Sequence, residues 1–343
     1  MVACIYPIQI PMLRYFGASD TTLPYANAYF TIYLTGTVFA LMSTGMNQFI
    51  ICQGFAKTGM YSVIIGAVLN IVLDPVFIFG FHMGVSGAAT ATVLSQTASC
   101  AFVLKTLFGK TVPVRITFGG YDWRLIRRIL TIGFTPFIII AMDNVMIITM
   151  NAILQKYGGA ARGDLLITCA TIAQSFMLVV TMPLGGITSG TQAVLAYNFG
   201  AGNTDRVKGA QKYIFILAAA YTTLLFILAR TVGGLFVRLF TSDPTVAAEA
   251  LRAIRIFTLA IIPLAFQYEI VDGFTGLGQV QVALPLSFFR KGLYFVSLFL
   301  LPAMFGAEAA FFAEPVSDIA GPVVSAIVYI VSMKGILAKA GKN

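Results

Sequence analysis

Long apolar runs, separated by short polar links, dominate the chain. Nine of them approach or exceed the roughly 20 apolar residues that a membrane-spanning helix needs. They are residues 24–52, 58–81, 84–107, 129–154, 165–197, 213–229, 254–277, 285–305 and 309–333. A tenth run, residues 1–15, contains two prolines and is too short to span by itself. The pattern predicts an all-α polytopic membrane protein with about nine full transmembrane helices and a partial one.

Composition agrees with this prediction and excludes other classes of protein. Of the 343 residues, 58% are apolar and only 10% are charged, against roughly 25% charged in a soluble domain. The single histidine, His82, leaves no material for an HExxH zinc site or a Ser-His-Asp triad, and the sequence has no GxSxG or Walker motif. We therefore expect neither an enzyme nor a protein with a cofactor or a resident metal.

The positive charge of the chain is concentrated in the polar links. The net charge is +9, and the densest group of cations comprises Lys105, Lys110, Arg115, Arg124, Arg127 and Arg128. Basic links beside spans stay in the cytoplasm. Alternating the spans from this link places the carboxy terminus in the cytoplasm as well. The cations thus indicate topology in the cell (inner) membrane, with the lipid bilayer rather than nucleic acid as the partner.

The polar link also divides the chain into two halves that share a pattern. Residues 1–109 are predicted to form an incomplete amino-terminal lobe, residues 110–124 a cytoplasmic linker, and residues 125–343 a six-helix carboxy-terminal lobe. Residues 53–96 and 277–318 both contain a glycine turn, a helix, a Gly/Ala-rich segment and a second helix. Such parallel repeats are common among secondary transporters. If the halves were equal, the first would lack about two and a half spans.

Three separated motifs resemble one known family. They are LNIVLDPVFIFG at 69–80, MPLGGITSGTQ at 182–192 with YNFGAG at 197–202, and AEPVSD at 313–318. In this order they resemble the signature of the multidrug and toxic compound extrusion (MATE) family, in its bacterial multidrug-exporter branch. The resemblance implies a twelve-helix, two-lobed antiporter that exchanges small, often cationic or amphiphilic compounds for H+ or Na+ by alternating access. It also implies that this chain, which we expect to be a monomer, lacks the first two family helices and most of the third.

Acidic residues within the apolar runs are the main candidates for binding cations and substrate. An ionisable group at mid-helix costs about 2.5–3.5 kcal/mol on insertion scales, so each needs a reason. Asp143 lies fifteen residues after Arg128, about 22 Å along a helix. The family carries an acid in this helix and often another in the helix of Glu269 and Asp272. These last two are three residues apart and share a helix face, and sodium is an alternative to the proton at Asp143 and Glu269.

A structural role is the alternative for these acids. Arg290 and Lys291 are predicted at comparable depth in the next helix. They could neutralise Glu269 or Asp272 as a structural ion pair.

Weaker candidates come from the motifs themselves. Asn70 and Asp74 share a face of one helix, and Asp74 could bind ions or hold backbone groups that Pro75 frees. Gln192 could bind substrate or hydrogen-bond between helices. Helix bending and close packing are predicted for three further residues, Pro183, Gly186 and Gly190.

Two other functions remain open from the sequence. A flippase for lipid-linked oligosaccharides, from the related superfamily, would need a strongly cationic cavity to hold pyrophosphate. Three mid-membrane acids against one adjacent basic pair favour the exporter. A truncated remnant that transports nothing is the third possibility.

Overall fold

The structure, a computed structural model, describes residues 5–15, 23–110, 112–338 and 340. Within these ranges every regular element is helical and no β-strand is present, which confirms the all-α prediction. The chain divides into two units, Met1–Gly120 and Tyr121–Asn343. Their boundary lies inside the segment that we predicted to be a linker. Part of the predicted partial helix, residues 1–4, lies outside the described residues.

Four α-helices lie in the described part of the first unit. After a 3₁₀ turn at Tyr6–Ile8, they are α1 (Gln9–Tyr15), α2 (Leu23–Cys52), α3 (Ala56–Pro75) and α4 (Gly84–Phe108). A π-helical turn, Val76–Gly80, follows Pro75 and is closed by a bond from the amide of Phe81 to the carbonyl of Val76 (2.9 Å). Helices α2 and α4 cross closely, since a Cβ on Gly36 would overlap the side chain of Val93.

The second unit begins with one long helical stretch, Trp123–Gly190, that is broken at Gly159. This glycine has φ 67° and ψ −176°, a conformation that is essentially restricted to glycine. The break defines α5 (123–159) and α6 (160–190). The helices that follow are α7 (Gln192–Gly200), α8 (Thr204–Thr231), α9 (Gly233–Arg238), α10 (Pro244–Phe257), α11 (Ile261–Gly276), α12 (Val280–Phe305) and α13 (Ala313–Leu337).

Asp243 starts α10 by capping its first turn. Its carboxylate accepts hydrogen bonds from the amides of Thr245 (2.7 Å) and Val246 (3.4 Å), which have no partner within the helix. Because these bonds favour the charged form, they lower the pKa of Asp243, which lies outside the apolar span. Proline at the first helical position, Pro244, needs no such bond.

Buried apolar side chains from several helices hold the second unit together. Met150 and Leu154 on α5 meet Leu166 on α6 and Ile254 and Phe257 on α10 in one cluster. Each of them is at most 2% exposed. The core therefore fixes the spacing of the helices that carry the acidic residues.

Eight helical segments of the described chain are long and apolar enough to cross a membrane. They correspond one to one to the last eight of the nine predicted spans. The remaining one, α2, is a continuous helix of 30 residues without a charged side chain. Threonine, tyrosine, glycine and asparagine residues interrupt its apolar sequence.

Candidate substrate and cation site

A cavity of about 460 Å³ lies within the second unit, lined by residues of α5, α7, α11 and α12. Its charged lining residues are Asp143, Asp272, Arg290 and Lys291. Apolar and aromatic side chains form much of the remaining wall, among them Ile139, Ile140, Tyr268, Val271 and Leu284. The cavity thus has a few charged groups on a mostly apolar surface, as small-molecule binding sites do.

Asp143 lies at the cavity wall and is paired with a lysine. The ammonium group of Lys291 donates to Oδ1 of Asp143 and to the carbonyl of Ile139 (2.8 Å). The lysine side chain is only 3% exposed, whereas half of the Asp143 side chain remains accessible. The pair therefore has an enclosed cation and a carboxylate that a molecule in the cavity can reach.

Arg290 points away from Lys291 and binds an acid on α13. Its Nη1 lies 2.8 Å from Oδ1 of Asp318, which is completely buried. The alternative that Arg290 and Lys291 neutralise Glu269 or Asp272 is therefore wrong. Consecutive residues project about 100° apart around a helix, so this pair reaches two different neighbours, α13 and α5, instead of one face of α11.

Asp272 is held by two polar side chains from the preceding helices. The hydroxyl of Thr188 on α6 donates to its Oδ2, and Nε2 of Gln192 on α7 donates to its Oδ1 (3.1 Å). Gln192 and Asp272 both line the cavity. The structure thus brings three of the predicted site residues, Asp143, Gln192 and Asp272, to one cavity.

Glu269 does not join them. It is 1% exposed and is not among the residues that line the cavity. Neither carboxyl oxygen has a hydrogen-bond partner in the part of the chain that the structure describes. Asp143 and Glu269, the two candidate sodium ligands, thus occupy different places. Within the described residues, no group of three or more His, Cys, Asp and Glu side chains could hold a metal ion.

The sequence matches the MatE family model over residues 1–76 and 140–300, most of the chain. The chain belongs to the MatE family. This membership confirms the family resemblance and the expectation of a membrane transporter-family protein that is not an enzyme.

Curated relatives of the MatE chain carry the name multidrug export protein MepA. The protein of Staphylococcus haemolyticus (strain JCSC1435) is 25% identical over 293 residues, covering 84% of this chain and 63% of the relative. That of Staphylococcus aureus (strain MSSA476) is 24% identical over 304 residues, covering 88% and 66% respectively. The MatE chain therefore spans about two thirds of the length of these relatives.

Solved structures share its fold. One is the outward-facing conformation of a multidrug resistance MATE family transporter of the MOP superfamily, with a TM-score of 0.88 at 20% identity over 98% of this chain and 75% of that one. Another is a MOP superfamily transporter from Pyrococcus furiosus Vc1 (DSM3638), with a TM-score of 0.89 at 20% identity and the same coverage. For that transporter, the reverse polarity of the binding pocket suggests a different function.

The MatE chain has a separate polar cluster in its first unit. Nδ2 of Asn70 donates to Oδ1 of Asp74 (3.1 Å) and lies 3.5 Å from the hydroxyl of Thr92 on α4. Asp74 thus binds the side chain that shares its helix face. Whether the cluster binds a cation stays a prediction.

The predicted close packing around Gly186 and Gly190 is wrong for this structure. A Cβ on either glycine would have no neighbouring atom within 4 Å. Pro183 and both glycines are exposed on α6, and among the described residues no helix approaches the two glycines closely enough to require glycine. The predicted change of helix direction has a counterpart beside Gly190, where α6 ends and Thr191 separates it from α7.

Sequence reasoning missed Asp318, which is completely buried, and Glu314, which is half-buried one helical turn before it. Both lie in the AEPVSD motif, which was used only to identify the family. Asp318 accepts the bond from Arg290. The signal was that an arginine in a predicted span needs an acid on a neighbouring helix, and Asp318 was not considered as that acid.

Proposed function

We propose that the MatE chain exports small cationic or amphiphilic compounds in exchange for protons or sodium ions, by alternating access. Asp143 carries this proposal: a half-accessible carboxylate in a cavity of about 460 Å³ with apolar and aromatic walls. This volume falls in the range of about 300–1,000 Å³ that is typical of small-molecule sites. The names of the curated relatives support export of drugs.

The cavity wall suits flat, hydrophobic cations. Ile139, Ile140 and Leu284 offer apolar surface, and the ring of Tyr268 offers a face for a cation. Only the charge of the substrate would meet a fixed partner, the carboxylate of Asp143 or Asp272. Few directional contacts allow many compounds of similar charge and size to bind.

Exchange of the substrate for a coupling ion follows if the acidic residues of the cavity can bind only one cation at a time. A bare carboxylate is costly within a membrane, so Asp143 needs a substrate cation, a coupling ion or the ammonium group of Lys291. In the structure Lys291 takes this place. When a substrate leaves, a coupling ion or Lys291 can therefore take its place at Asp143, so that the carboxylate does not remain unpaired.

The charges of the cavity favour an exporter of cations over a flippase. Pyrophosphate would require positive groups that are available to bind it. Lys291 and Arg290, the two cations of the lining, each bind an aspartate of the chain itself.

The setting of this activity is also part of the proposal. The cation-rich links support a carboxy terminus in the cytoplasm and a location of the chain in the cell (inner) membrane. We expect the protein to work as a monomer, without nucleic acid or a cofactor.

Accumulation of ethidium in cells that lack their own drug exporters tests the proposal. Cells that express the chain should accumulate less dye than cells with an empty vector, and Asp143→Asn should abolish this difference. Asp205→Asn changes an exposed acid at the start of α8 and should leave it intact. Collapse of the proton gradient or removal of sodium identifies the coupling ion. Equal accumulation with chain and vector would favour the non-transporting remnant, and full export by Asp143→Asn would remove Asp143 from the site.

A further inference from the structure

Two arginines lie side by side in the last turns of α8 and α10. Nη1 of Arg230 donates to Oγ1 of Thr258 (2.6 Å), and Nη2 donates to the backbone carbonyl of Arg255 (3.0 Å). The guanidinium group also lies over the ring of Phe226, 4.3 Å from its centroid. These contacts hold Arg230 beside Arg255, whose own side chain is exposed. The charged neighbour of the Arg230 guanidinium group is therefore a second cation.

The acids at this end of the second unit have other partners. The sequence between the two arginines contains two acids, Asp243 and Glu249. Asp243 accepts the backbone bonds that cap α10, and Glu249 pairs with Arg252. Glu308, from the segment before α13, also binds Arg252. Within the part of the chain that the structure describes, no acid forms an ion pair with either of the two arginines.

The pair lies at the edge of the apolar part of the chain. Arg230 directly follows the apolar run 213–229, and Arg255 is the second residue of the run 254–277. Both runs belong to helical segments that are long and apolar enough to cross a membrane. Cationic side chains at the ends of such segments reach the level of the lipid headgroups. Two cations without a counter-charge at this level favour a negatively charged partner.

Exposed apolar side chains lie one helical turn deeper than each arginine. Ile227 comes three residues before Arg230 on α8 and is 51% exposed. Leu259 comes four residues after Arg255, in the 3₁₀ turn Thr258–Ala260, and is 50% exposed. Residues three or four apart share a helix face, so each arginine has an apolar surface below it. Charge above and an apolar surface below match a phospholipid better than a small inorganic anion.

A phosphodiester group suits the two guanidinium groups. Its two free oxygens share one negative charge, and arginine binds such oxygens through parallel N–H bonds. Arg230 uses two of its five N–H donors on Thr258 and Arg255, so donors remain for a ligand. A headgroup amine, as in phosphatidylethanolamine, would bring a third cation to the pair. The two arginines therefore favour a lipid with a net negative charge, such as phosphatidylglycerol.

We propose that Arg230 and Arg255 bind the phosphate of one anionic phospholipid between their guanidinium groups. The acyl chains of this lipid lie along Ile227 and Leu259. The bound phosphate offsets the repulsion between the two cations, and it thereby stabilises the contact of α8 with the end of α10. Neither arginine lines the cavity, so the lipid site is separate from the substrate site and does not rest on the proposed function.

Binding of tritiated phosphatidylglycerol to the immobilised full chain tests the proposal. In a scintillation proximity assay in detergent micelles, unlabelled phosphatidylglycerol competes with the label in one series and phosphatidylethanolamine with the same acyl chains in another. Each cation near a membrane surface strengthens the binding of an anionic lipid about fivefold. For two arginines we therefore expect phosphatidylglycerol to bind about 25-fold more tightly. Equal competition by the two lipids would overturn the proposal.

Variants separate the pair from other cations at this end of the unit. Arg255→Gln removes an exposed side chain and should lower the preference about fivefold, whereas Arg255→Lys retains the charge and should keep most of it. Arg238→Gln removes a single exposed arginine at the end of α9 and should leave the preference unchanged. No loss in Arg255→Gln, or the same loss in Arg238→Gln, would show that the pair does not bind the lipid.

Inorganic phosphate distinguishes a lipid from a free anion. Sodium phosphate should displace tritiated phosphatidylglycerol no better than sodium chloride of the same ionic strength, because it cannot use the apolar surface at Ile227 and Leu259. Displacement by phosphate alone would mean that the arginines bind a free anion, and it would overturn the assignment of the site to a lipid.

Discussion

Lys291 binds Asp143 with its ammonium group, so the cavity of the second unit contains a cation that belongs to the protein. The lysine is buried and also donates to the carbonyl of Ile139, while Asp143 remains half accessible. An incoming substrate cation therefore competes with Lys291 for one carboxylate.

Replacement of Lys291 should strengthen the binding of cations. In Lys291→Gln the competing charge is absent, and we expect tetraphenylphosphonium to bind about tenfold more tightly, which corresponds to about 1.4 kcal/mol. Equilibrium dialysis with the purified chain measures this. Lys291→Arg retains the charge and should stay near the unaltered chain. Weaker or equal binding by Lys291→Gln would show that Lys291 does not compete.

The pair of Arg290 and Asp318 should contribute to folding. Removal of one partner leaves a buried charge without compensation, so Asp318→Asn or Arg290→Met should each cost about 3–5 kcal/mol. The double variant Arg290→Met/Asp318→Leu should recover most of this loss.

Thermal unfolding in detergent measures the effect of this pair. Lys208→Met breaks an exposed pair with Asp205 and should lower the melting temperature far less. Additive losses in the double variant would contradict the account.

Gly159 should tolerate no side chain without loss of stability. Its φ of 67° with ψ −176° is strained for other residues, at about 1–3 kcal/mol. Gly159→Ala should therefore lower the melting temperature. Gly185→Ala changes a glycine inside α6 that has open space around it, and it should be neutral or stabilising. Equal effects of the two changes would show that the break does not depend on glycine.

Asp243 should make the stability of α10 depend on pH at the acid end. Its pKa is lowered by the backbone hydrogen bonds of the cap, so its contribution is fully present above the unfolded-state pKa. It is lost as the pH falls through the lower folded-state value. Asp243→Ala should reduce the melting temperature at neutral pH, and this difference should shrink in acid. Asp243→Asn, which caps without a charge, should show no such pH dependence.

The apolar pattern was sufficient to predict most of the helices, because a membrane-spanning helix is apolar along its whole length, whether its side chains face lipid or other helices. Eight of the nine predicted spans correspond to helices that could cross a membrane, and the ninth is α2. The break at Gly159 lies between two predicted spans, residues 129–154 and 165–197, so the pattern predicted an interruption there. The positive φ of Gly159 was not predicted, because it depends on the chain around it.

The candidate acids were found because charged residues are rare in apolar runs and easy to recognise there. Their interaction partners were not found. Residue spacing along one helix placed Glu269 and Asp272 on a common face, and the structure then separates them into the interior and the cavity. Which helix faces each side of α12 depends on tertiary packing. The partners of Arg290 and Lys291 therefore could not be derived from local sequence.

Binding of tetraphenylphosphonium to the purified chain tests the central claim most directly, that cationic compounds bind at Asp143. Equilibrium dialysis should compare the unaltered chain with Asp143→Asn and with Asp205→Asn, whose carboxylate is exposed on α8. Our account predicts binding that is at least about tenfold weaker in Asp143→Asn, a loss of about 1.4 kcal/mol, and unchanged in Asp205→Asn. Equal affinity in the unaltered chain and Asp143→Asn would contradict it.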